Sequence, residues 1–288
     1  MRALIFGAGG QVGRALARAA APGAEIVALG HGQCDVRRRD QVERAIAQAR
    51  PAIVFNAAAF TAVDRAEAER ALAASVNAMA PGLIATAARA AGARTVHIST
   101  DYVFDGTARR PCRPGDPANP QSVYGRTKLA GEGAVGEADP DALTVRTSWV
   151  YSAHGSNFVT KMLRLMQERE RLQVVEDQVG APTSAPSLAA ALWGLAGAGA
   201  SGLLHYRDAE TMSWHGFALA IQEEARDLGL LQTSIPIDPV PGTAYPAPAP
   251  RPAYSVLDAS EAWAIVGEPQ LSLRQSLRAT LEEIGGNG

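Results

Sequence analysis

The 288-residue sequence is poor in cysteine, with only Cys34 and Cys112. Two scattered thiols can build neither a disulfide framework nor a zinc site. It also lacks an excess of either charge. Its 27 Lys and Arg against 29 Asp and Glu leave a formal net charge of −2. Nucleic acid and membrane surfaces are therefore not expected partners. No run approaches the ~20 apolar residues of a membrane span. The apolar start of the chain is too short for a signal peptide, so a cytoplasmic protein is expected. Aromatic residues make up 6% and charged residues 19%, while 47% are hydrophobic, an ordinary soluble composition. At roughly 150 residues per domain, the length suggests about two domains, or one large one. Glycine and proline are the types in excess: 28 and 18 residues, about 16% against a usual ~12%.

The first half alternates between short apolar runs and helical stretches. Candidate strands are Arg2–Phe6, Glu25–Leu29, Ala52–Asn56, Thr95–Ser99 and Leu143–Thr147. Candidate helices are Val12–Ala21, Asp40–Ala49 and the Ala-rich Ala66–Ala91, where Pro81 is expected to break or restart the helix. Continuous apolar strands alternating with helices predict a parallel sheet covered on both faces. Beyond residue 150 the pattern changes. Helices are expected at Asn157–Glu170, Ser187–Ala198, Ser213–Gly229 and Leu273–Ile284, and a further strand at Leu172–Val175. Leu203–Tyr206 reads as one more strand of the main sheet. Pro236–Pro252 is too proline-rich to be regular.

The loop after the first strand reads Gly7-Ala8-Gly9-Gly10-Gln11-Val12-Gly13. Gly7, Gly10 and Gly13 permit a tight turn and a close backbone approach, and the following helix N-terminus favours a pyrophosphate. A strand–loop–helix context for this spacing points to nucleotide binding. At the end of the second strand, Gly30-His31 stands where an acid would bind the ribose hydroxyls of NAD, which leaves NADPH open. Asp35 and Val36 are placed to touch the adenine. The run Arg37-Arg38-Arg39 reads better as a solvated helix start than as a phosphate site.

Tyr124 and Lys128 are four residues apart, on one face of a helix. A nearby ammonium lowers a phenol pKa from ~10, so Tyr124 is a candidate general acid for a carbonyl oxygen receiving hydride. Thr100 ends a strand at the carboxyl edge of the sheet, where ligands bind in such folds.

With these residues the chain resembles an extended short-chain dehydrogenase/reductase and, more narrowly, the dTDP-4-dehydrorhamnose reductase family. The stretches that carry the likeness are GAGGQVG, NAAAFTAVD, VHISTDYVFDG, VYGRTKLAGE, VRTSWVY, VVEDQVGAPT and RPAYSVLD, in order across nearly the whole chain. The resemblance implies a Rossmann-type doubly wound α/β fold. Residues 1–150 would form the NAD(P)-binding domain, with a return strand near 203–206, and residues 151–288 a smaller, mainly substrate-binding domain. It implies reduction of the C4 ketone of dTDP-6-deoxy-L-lyxo-4-hexulose to dTDP-L-rhamnose by NADPH or NADH. Gly7, Gly10, Gln11, Val12 and Gly13 would lie under the pyrophosphate, and Asp35 and Val36 would flank the adenine. Ala59, Phe60 and Thr61 would line the path to the nicotinamide ribose. Tyr124 would donate the proton, and Lys128 would hold the ribose and lower the phenol pKa. Thr100, Asp101 and Trp149 would meet the sugar. From the residues alone Trp149 reads as a core aromatic. Arg251, after the proline-rich loop, is a candidate for the substrate pyrophosphate.

Some members of the family bridge a dimer with Mg²⁺ held by acidic residues. Ala15, Pro186 and Ala190 stand at the matching positions and cannot ligate it. A magnesium-bridged dimer is therefore not expected, and a monomer or homodimer is. Two other readings compete. One is a reductase or epimerase of another nucleotide sugar. The other is a non-catalytic regulatory subunit of the methionine adenosyltransferase type, against which the intact Tyr124/Lys128 pair argues.

Overall fold

The computed structural model describes residues 1–20 and 23–286. The first half runs β1 (Arg2–Phe6), α1 (Gln11–Arg18), β2 (Glu25–Leu29), α2 (Arg39–Ala49) and β3 (Ile53–Asn56). It continues through α3 (Val63–Ala68), α4 (Arg70–Ala74), α5 (Ala80–Ala90), β4 (Arg94–Thr100), α6 (Val123–Ala138) and β5 (Leu143–Thr147). The second half holds β6 (Val150–Tyr151), α7 (Phe158–Glu168), β7 (Leu172–Val175), β8 (Val179–Gly180) and β9 (Thr183–Ser184). It ends with α8 (Ala185–Gly197), β10 (Gly202–His205), β11 (Met212–Ser213), α9 (Trp214–Asp227), β12 (Ile237–Val240), α10 (Ser260–Val266) and α11 (Leu273–Gly286). Ala21, the last residue of the first expected helix, lies outside the described residues.

Six parallel strands form the central sheet in the order β10-β5-β4-β3-β1-β2. Strand direction fixes which side chains go to which layer, because successive residues point to opposite faces. Ala3, Ile5, Ile53 and Phe55 pack with Leu16 of α1 and with Leu188, Leu192 and Leu195 of α8. Leu4, Phe6 and Val54 face the other way, onto Val42 and Ile46 of α2 and Ile84 of α5. Both faces are thus covered, which is why these strands read as unbroken apolar runs. The chain winds outward from β1 to β2 and then returns through β3, β4 and β5. The winding reverses between β1 and β3, and ligands bind beyond the carboxyl ends of strands at such a point. The architecture is α/β of the Rossmann type. A separate apolar cluster joins Tyr151, α7, α9 and α11 through Phe217, Ile221, Leu277 and Leu281.

Three sequence expectations change. Pro81 does not break its helix, which runs without interruption from Arg70 to Ala90. The chain widens instead into a π-helical turn at Ser75–Met79. Proline has no N–H for the carbonyl four residues back, here Asn77. An 18-residue window of this 21-residue helix has mean hydropathy 1.4, so by length and composition one run does reach membrane-spanning size. It packs here along α6 and β4. Finally, the proline-rich segment holds β12, whose four residues pair in parallel with β7 despite Pro239. The two-stranded ribbon gives β12 no second neighbour, so a missing N–H on its open side costs no ladder bond.

The widened turn leaves Asn77 facing α6, which approaches because position 131 has no side chain. A Cβ built on Gly131 would stand 2.0 Å from the Asn77 carbonyl oxygen. Gly131→Ala is therefore expected to lower stability by about 1–3 kcal/mol through backbone overlap. Urea unfolding checks this, and an unchanged midpoint would show that α6 and the π-turn are not in contact.

Candidate functional site

The glycine loop is built from contacts that exclude side chains at two of its positions. A Cβ on Gly7 would lie 2.5 Å from the Ala58 nitrogen, and its φ of +81° favours glycine independently. A Cβ on Gly13 would lie 2.3 Å from the Gly7 carbonyl oxygen. Gly13 thus seats α1 on the loop and does not line the cleft. Gly9 differs, since a Cβ there would meet nothing within 4 Å. The space beside it is open, and α1 begins with no side chain capping its first N–H groups. An open cradle at a bare helix N-terminus fits a pyrophosphate. The Gln11 side chain turns away, accepting hydrogen bonds from Ser152 Oγ (3.0 Å) and Asn157 Nδ2 (2.9 Å). This leaves its backbone to face the cleft and ties α1 to the second half of the chain.

Two adjoining clefts of about 550 and 590 Å³ meet at Gly9, Gly10, Ala57 and Ala59. The smaller holds Gly7, His31, Asp35, Val36, Arg37 and Phe60. Arg37 is exposed, as a solvated helix start predicts, but it also borders this cleft. It lies before α2 and donates to both carboxylate oxygens of Asp35, Nε to Oδ1 at 2.8 Å and Nη2 to Oδ2 at 2.6 Å. This pairing holds the Asp35 pKa down at about 2. Arg38 and Arg39 also face solvent, paired with Asp40 and Glu43.

The larger cleft brings together Gln11, Val12, Thr61, Thr100, Asp101, Tyr124, Lys128 and Trp149. Their convergence follows from helix periodicity. Tyr124, Lys128 and Glu132 are spaced by four on α6 and form one stripe, which packs against β4. The Ser122 side chain caps α6 by accepting the Gly125 N–H at 3.1 Å. Gly125 has no Cβ to hit the Tyr102 carbonyl 2.2 Å away. The inner end of the stripe is a buried ion pair. Glu132 accepts from Arg146 Nη2 at 2.7 Å and from Ser99 Oγ at 2.5 Å. Lys128 is 2% exposed and donates to the Ile98 carbonyl at 2.6 Å.

Burial dominates the titration of this stripe. It pushes the Tyr124 phenol up to about 12, opposed in part by the Thr100 hydroxyl. It brings the Lys128 ammonium down to about 8, against the pull of Glu132. The sequence expectation was a phenol pKa lowered by lysine. In the structure desolvation outweighs any such effect, and the tyrosine is a phenol that holds its proton, as a proton donor must. Asp101 is also buried. Thr100 Oγ1 donates to its Oδ1 at 3.0 Å, and the buried Ser255 hydroxyl also lies beside the carboxyl, although Oδ2 has no partner of good hydrogen-bond geometry among the described residues. Burial raises its pKa to about 6. Thr147 Oγ1 is likewise unpartnered among the described residues. Both residues lie in the cleft wall, although these two oxygens are themselves sealed within the protein.

Trp149 lies in the cleft wall and is stacked 3.4 Å from Trp214, with ring planes 5° apart. Its φ of +47° is strained for a tryptophan, and a Cβ on Gly180 would strike its ring at 2.4 Å. Arg251 does not join the cleft. Its Nη2 donates to Asp64 Oδ2 at 2.8 Å and its Nη1 to the Ala249 carbonyl, which ties the proline-rich loop to α3. Sequence reasoning missed Trp214, the Glu132–Arg146 pair and Asn77. The Asn77 amide accepts the Phe60 N–H at 2.8 Å and donates to the Phe60 carbonyl and to Thr127 Oγ1, bracing the loop after β3. Among the described residues no group of three or more His, Cys, Asp or Glu could hold a metal ion.

A Rossmann sheet, a glycine cradle at its switch point and a Thr–Tyr–Lys set at the carboxyl edge define an oxidoreductase of the short-chain dehydrogenase/reductase type. The family model described as RmlD substrate binding domain matches residues 1–285, and the chain belongs to that family. It is 46% identical over 268 residues to the dTDP-4-dehydrorhamnose reductase of Burkholderia thailandensis, covering 89% of this chain and 90% of that one. It is 43% identical to the reductase of the same name from Salmonella typhimurium, covering 90% and 89%. Among solved structures, the dTDP-4-dehydrorhamnose reductase of Clostridium acetobutylicum superposes with TM-score 0.92 at 36% identity, covering 99% and 100%. That of Bacillus anthracis, in complex with NADP, superposes with TM-score 0.90 at 34% identity, covering 100% and 99%.

The Asp101 carboxyl gives a signed pH test. Its folded pKa is raised, so the folded state is favoured while the group is protonated and loses stability as pH rises from ~4 through about 6. Asp101→Asn removes this dependence. The variant is expected to gain stability over the parent at pH 8 but not at pH 4, by on the order of 2–3 kcal/mol at full burial. Equal thermal midpoints for the two proteins at pH 8 would contradict a carboxyl whose ionisation is opposed by burial.

Proposed function

We propose that this protein reduces the C4 ketone of dTDP-6-deoxy-L-lyxo-4-hexulose (dTDP-4-dehydrorhamnose) to dTDP-L-rhamnose, with NADPH or NADH as reductant, in dTDP-rhamnose biosynthesis. The observation that carries the reading is the larger cleft, in which Gly9 and Gly10 of the glycine cradle meet Thr100, Asp101, Tyr124 and Lys128. The nicotinamide cofactor, when bound, supplies the hydride. Tyr124 gives its phenolic proton to the C4 oxygen, and the Thr100 hydroxyl orients that oxygen by hydrogen bonding. Lys128 binds the ribose and returns a proton to Tyr124. Asp101, in the cleft wall beside Thr100, takes a sugar hydroxyl. Trp149, backed by Trp214, gives the sugar a flat apolar wall.

In the cofactor half, the backbone of Gly7, Gly10, Gln11 and Val12 carries the pyrophosphate, with Gly13 seating the helix behind it. Asp35 and Val36 flank the adenine, and Ala59, Phe60 and Thr61 line the way to the nicotinamide ribose. Arg37 offers a cation at the adenine end, which suits the 2′-phosphate of NADPH. Arg251 reaches the substrate diphosphate only by leaving Asp64. We read residues 1–150 with the return strand β10 as the cofactor domain, and the remainder of 151–288 mainly as the substrate domain. The separate apolar cluster of α7, α9 and α11 supports this division. The protein is read as a cytoplasmic monomer or homodimer. It uses no bridging magnesium, because Ala15, Pro186 and Ala190 offer no side-chain oxygen.

Purified protein is expected to oxidise NADPH only when the 4-keto-6-deoxy sugar nucleotide is present. Tyr124→Phe is expected to lower kcat by ~10²–10⁴-fold, the usual contribution of a positioned acid. A Tyr124→Phe variant with parental kcat, measured by loss of NADPH absorbance, overturns the assignment of the proton donor.

A further inference from the structure

Behind Lys128, away from the cleft, stands a buried pair that the mechanism above does not use. Asn56 ends β3 and His97 lies directly opposite it in β4. Both are sealed from solvent, Asn56 at 2% and His97 at 0% exposure. Asn56 Nδ2 lies 3.0 Å from His97 Nδ1. The other ring nitrogen, Nε2, lies 3.5 Å from Lys128 Nζ.

The orientation of the Asn56 amide is fixed from its other side. Its Oδ1 accepts the Ala58 N–H at 3.2 Å, so its NH₂ group must be the one that faces His97. His97 Nδ1 is then an acceptor without a proton. A neutral imidazole carries one proton, so that proton is on Nε2 and points at Lys128. The ring is neutral because burial, with the Lys128 charge beside it, holds its pKa well below 6.5. An ammonium has three donors and no acceptor, whereas a free amine has a lone pair. The imidazole N–H therefore favours the amine form of Lys128.

We propose that Asn56 and His97 are positioning residues that lock the imidazole as the Nε2–H tautomer and thereby lower the proton affinity of Lys128. The consequence for the reaction rests on the reading of Tyr124 as proton donor and Lys128 as its partner. An ordinary lysine near pH 10.5 holds its proton too tightly to pass it on at neutral pH, whereas one close to the working pH can give and recover it. The other groups facing Lys128 do not perform this function. Tyr124 and Glu132 lie on its own helix, with Ser99 and Asp101 from the β4 side. Glu132 raises the lysine pKa, and its charge is largely taken up by Arg146 and Ser99.

The sequence makes a direct test practical, because Lys128 and Lys161 are its only lysines. Protein labelled with ¹³Cε-lysine gives two resonances, with the exposed Lys161 as internal control. Protein labelled with ¹⁵N-histidine reports the tautomer. In the parent protein, His97 is expected to show a pyridine-like Nδ1 and a pyrrole-like Nε2, and the reverse assignment overturns the proposal without any variant. Asn56→Asp keeps an acceptor for Ala58 N–H but demands a proton on Nδ1. It is expected to invert the tautomer and raise the Lys128 midpoint by about 1 pH unit or more. Asn56→Leu removes the lock without adding charge and is expected to move the midpoint the same way, by less. A shift in the Asp variant with none in the Leu variant assigns the effect to the added carboxylate and overturns the proposal. The pH profile of kcat/KM is expected to move with the lysine midpoint. None of the spectra needs substrate. An enzyme inactive on the keto sugar but with these spectra would refute the proposed function and leave the tautomer lock standing.

Discussion

The structure depends on a constraint at α6, a helix that buries polar groups where most helices bury an apolar stripe. Tyr124, Lys128 and Glu132 all lie between this helix and the sheet, and each needs a partner there because burying an unpaired polar group is costly. The partners come from β4 and β5: the Ile98 carbonyl for Lys128, and Ser99 and Arg146 for Glu132. Such contacts require a close helix, and closeness is obtained by deleting side chains. Gly125 and Gly131 sit where a Cβ would meet backbone oxygens at 2.2 and 2.0 Å. The π-turn at Ser75–Met79, set beside Pro81, shapes the surface against which Gly131 rests. A change at any of these points displaces the stripe as a unit.

The chemistry follows from the same burial. Desolvation drives the phenol and the ammonium toward their neutral forms, leaving a protonated tyrosine near about 12 beside a lysine near about 8. That pair suits a reaction in which an oxygen gains a proton as a carbon gains hydride. Thr100, Asp101 and Thr147 line the same cleft beside that pair, which gives its wall polar groups for a hydroxylated sugar. Gln11 and the Trp149–Trp214 stack connect the sheet to the second apolar cluster. The two halves therefore meet at the reacting centre.

Much of this was legible in the chain. The apolar runs that became β1, β3, β4 and β5 gave away a sheet covered on both faces, and the glycines at 7, 10 and 13 marked the turn at its switch point. Tyr124 and Lys128 could be placed on one face by spacing alone, and the strand end at Thr100 put the cleft at the correct sheet edge. Contacts that join distant segments were not legible. Asn77 acts through a helix widened by a proline four residues on, and helix propensity has no signal for that. Trp214 matters because it stacks on Trp149, 65 positions earlier in the chain. Arg251 looked available because nothing in its neighbourhood of the sequence reveals Asp64. One missed signal was compositional. A chain that almost always uses arginine for its positive charge places one of two lysines in its core, where only lysine can be brought to a neutral form at moderate pH.

The central claim is a single, direct reduction at C4 of a keto sugar nucleotide in this cleft. The most direct measurement follows the label from NADPH carrying deuterium at both hydrogens of the nicotinamide C4 into the product, by mass and NMR. The account predicts one deuterium per turnover, bonded to sugar C4, with equimolar NADP⁺ released. A product without deuterium, or a cofactor that stays bound and unchanged in redox state over many turnovers, would contradict it.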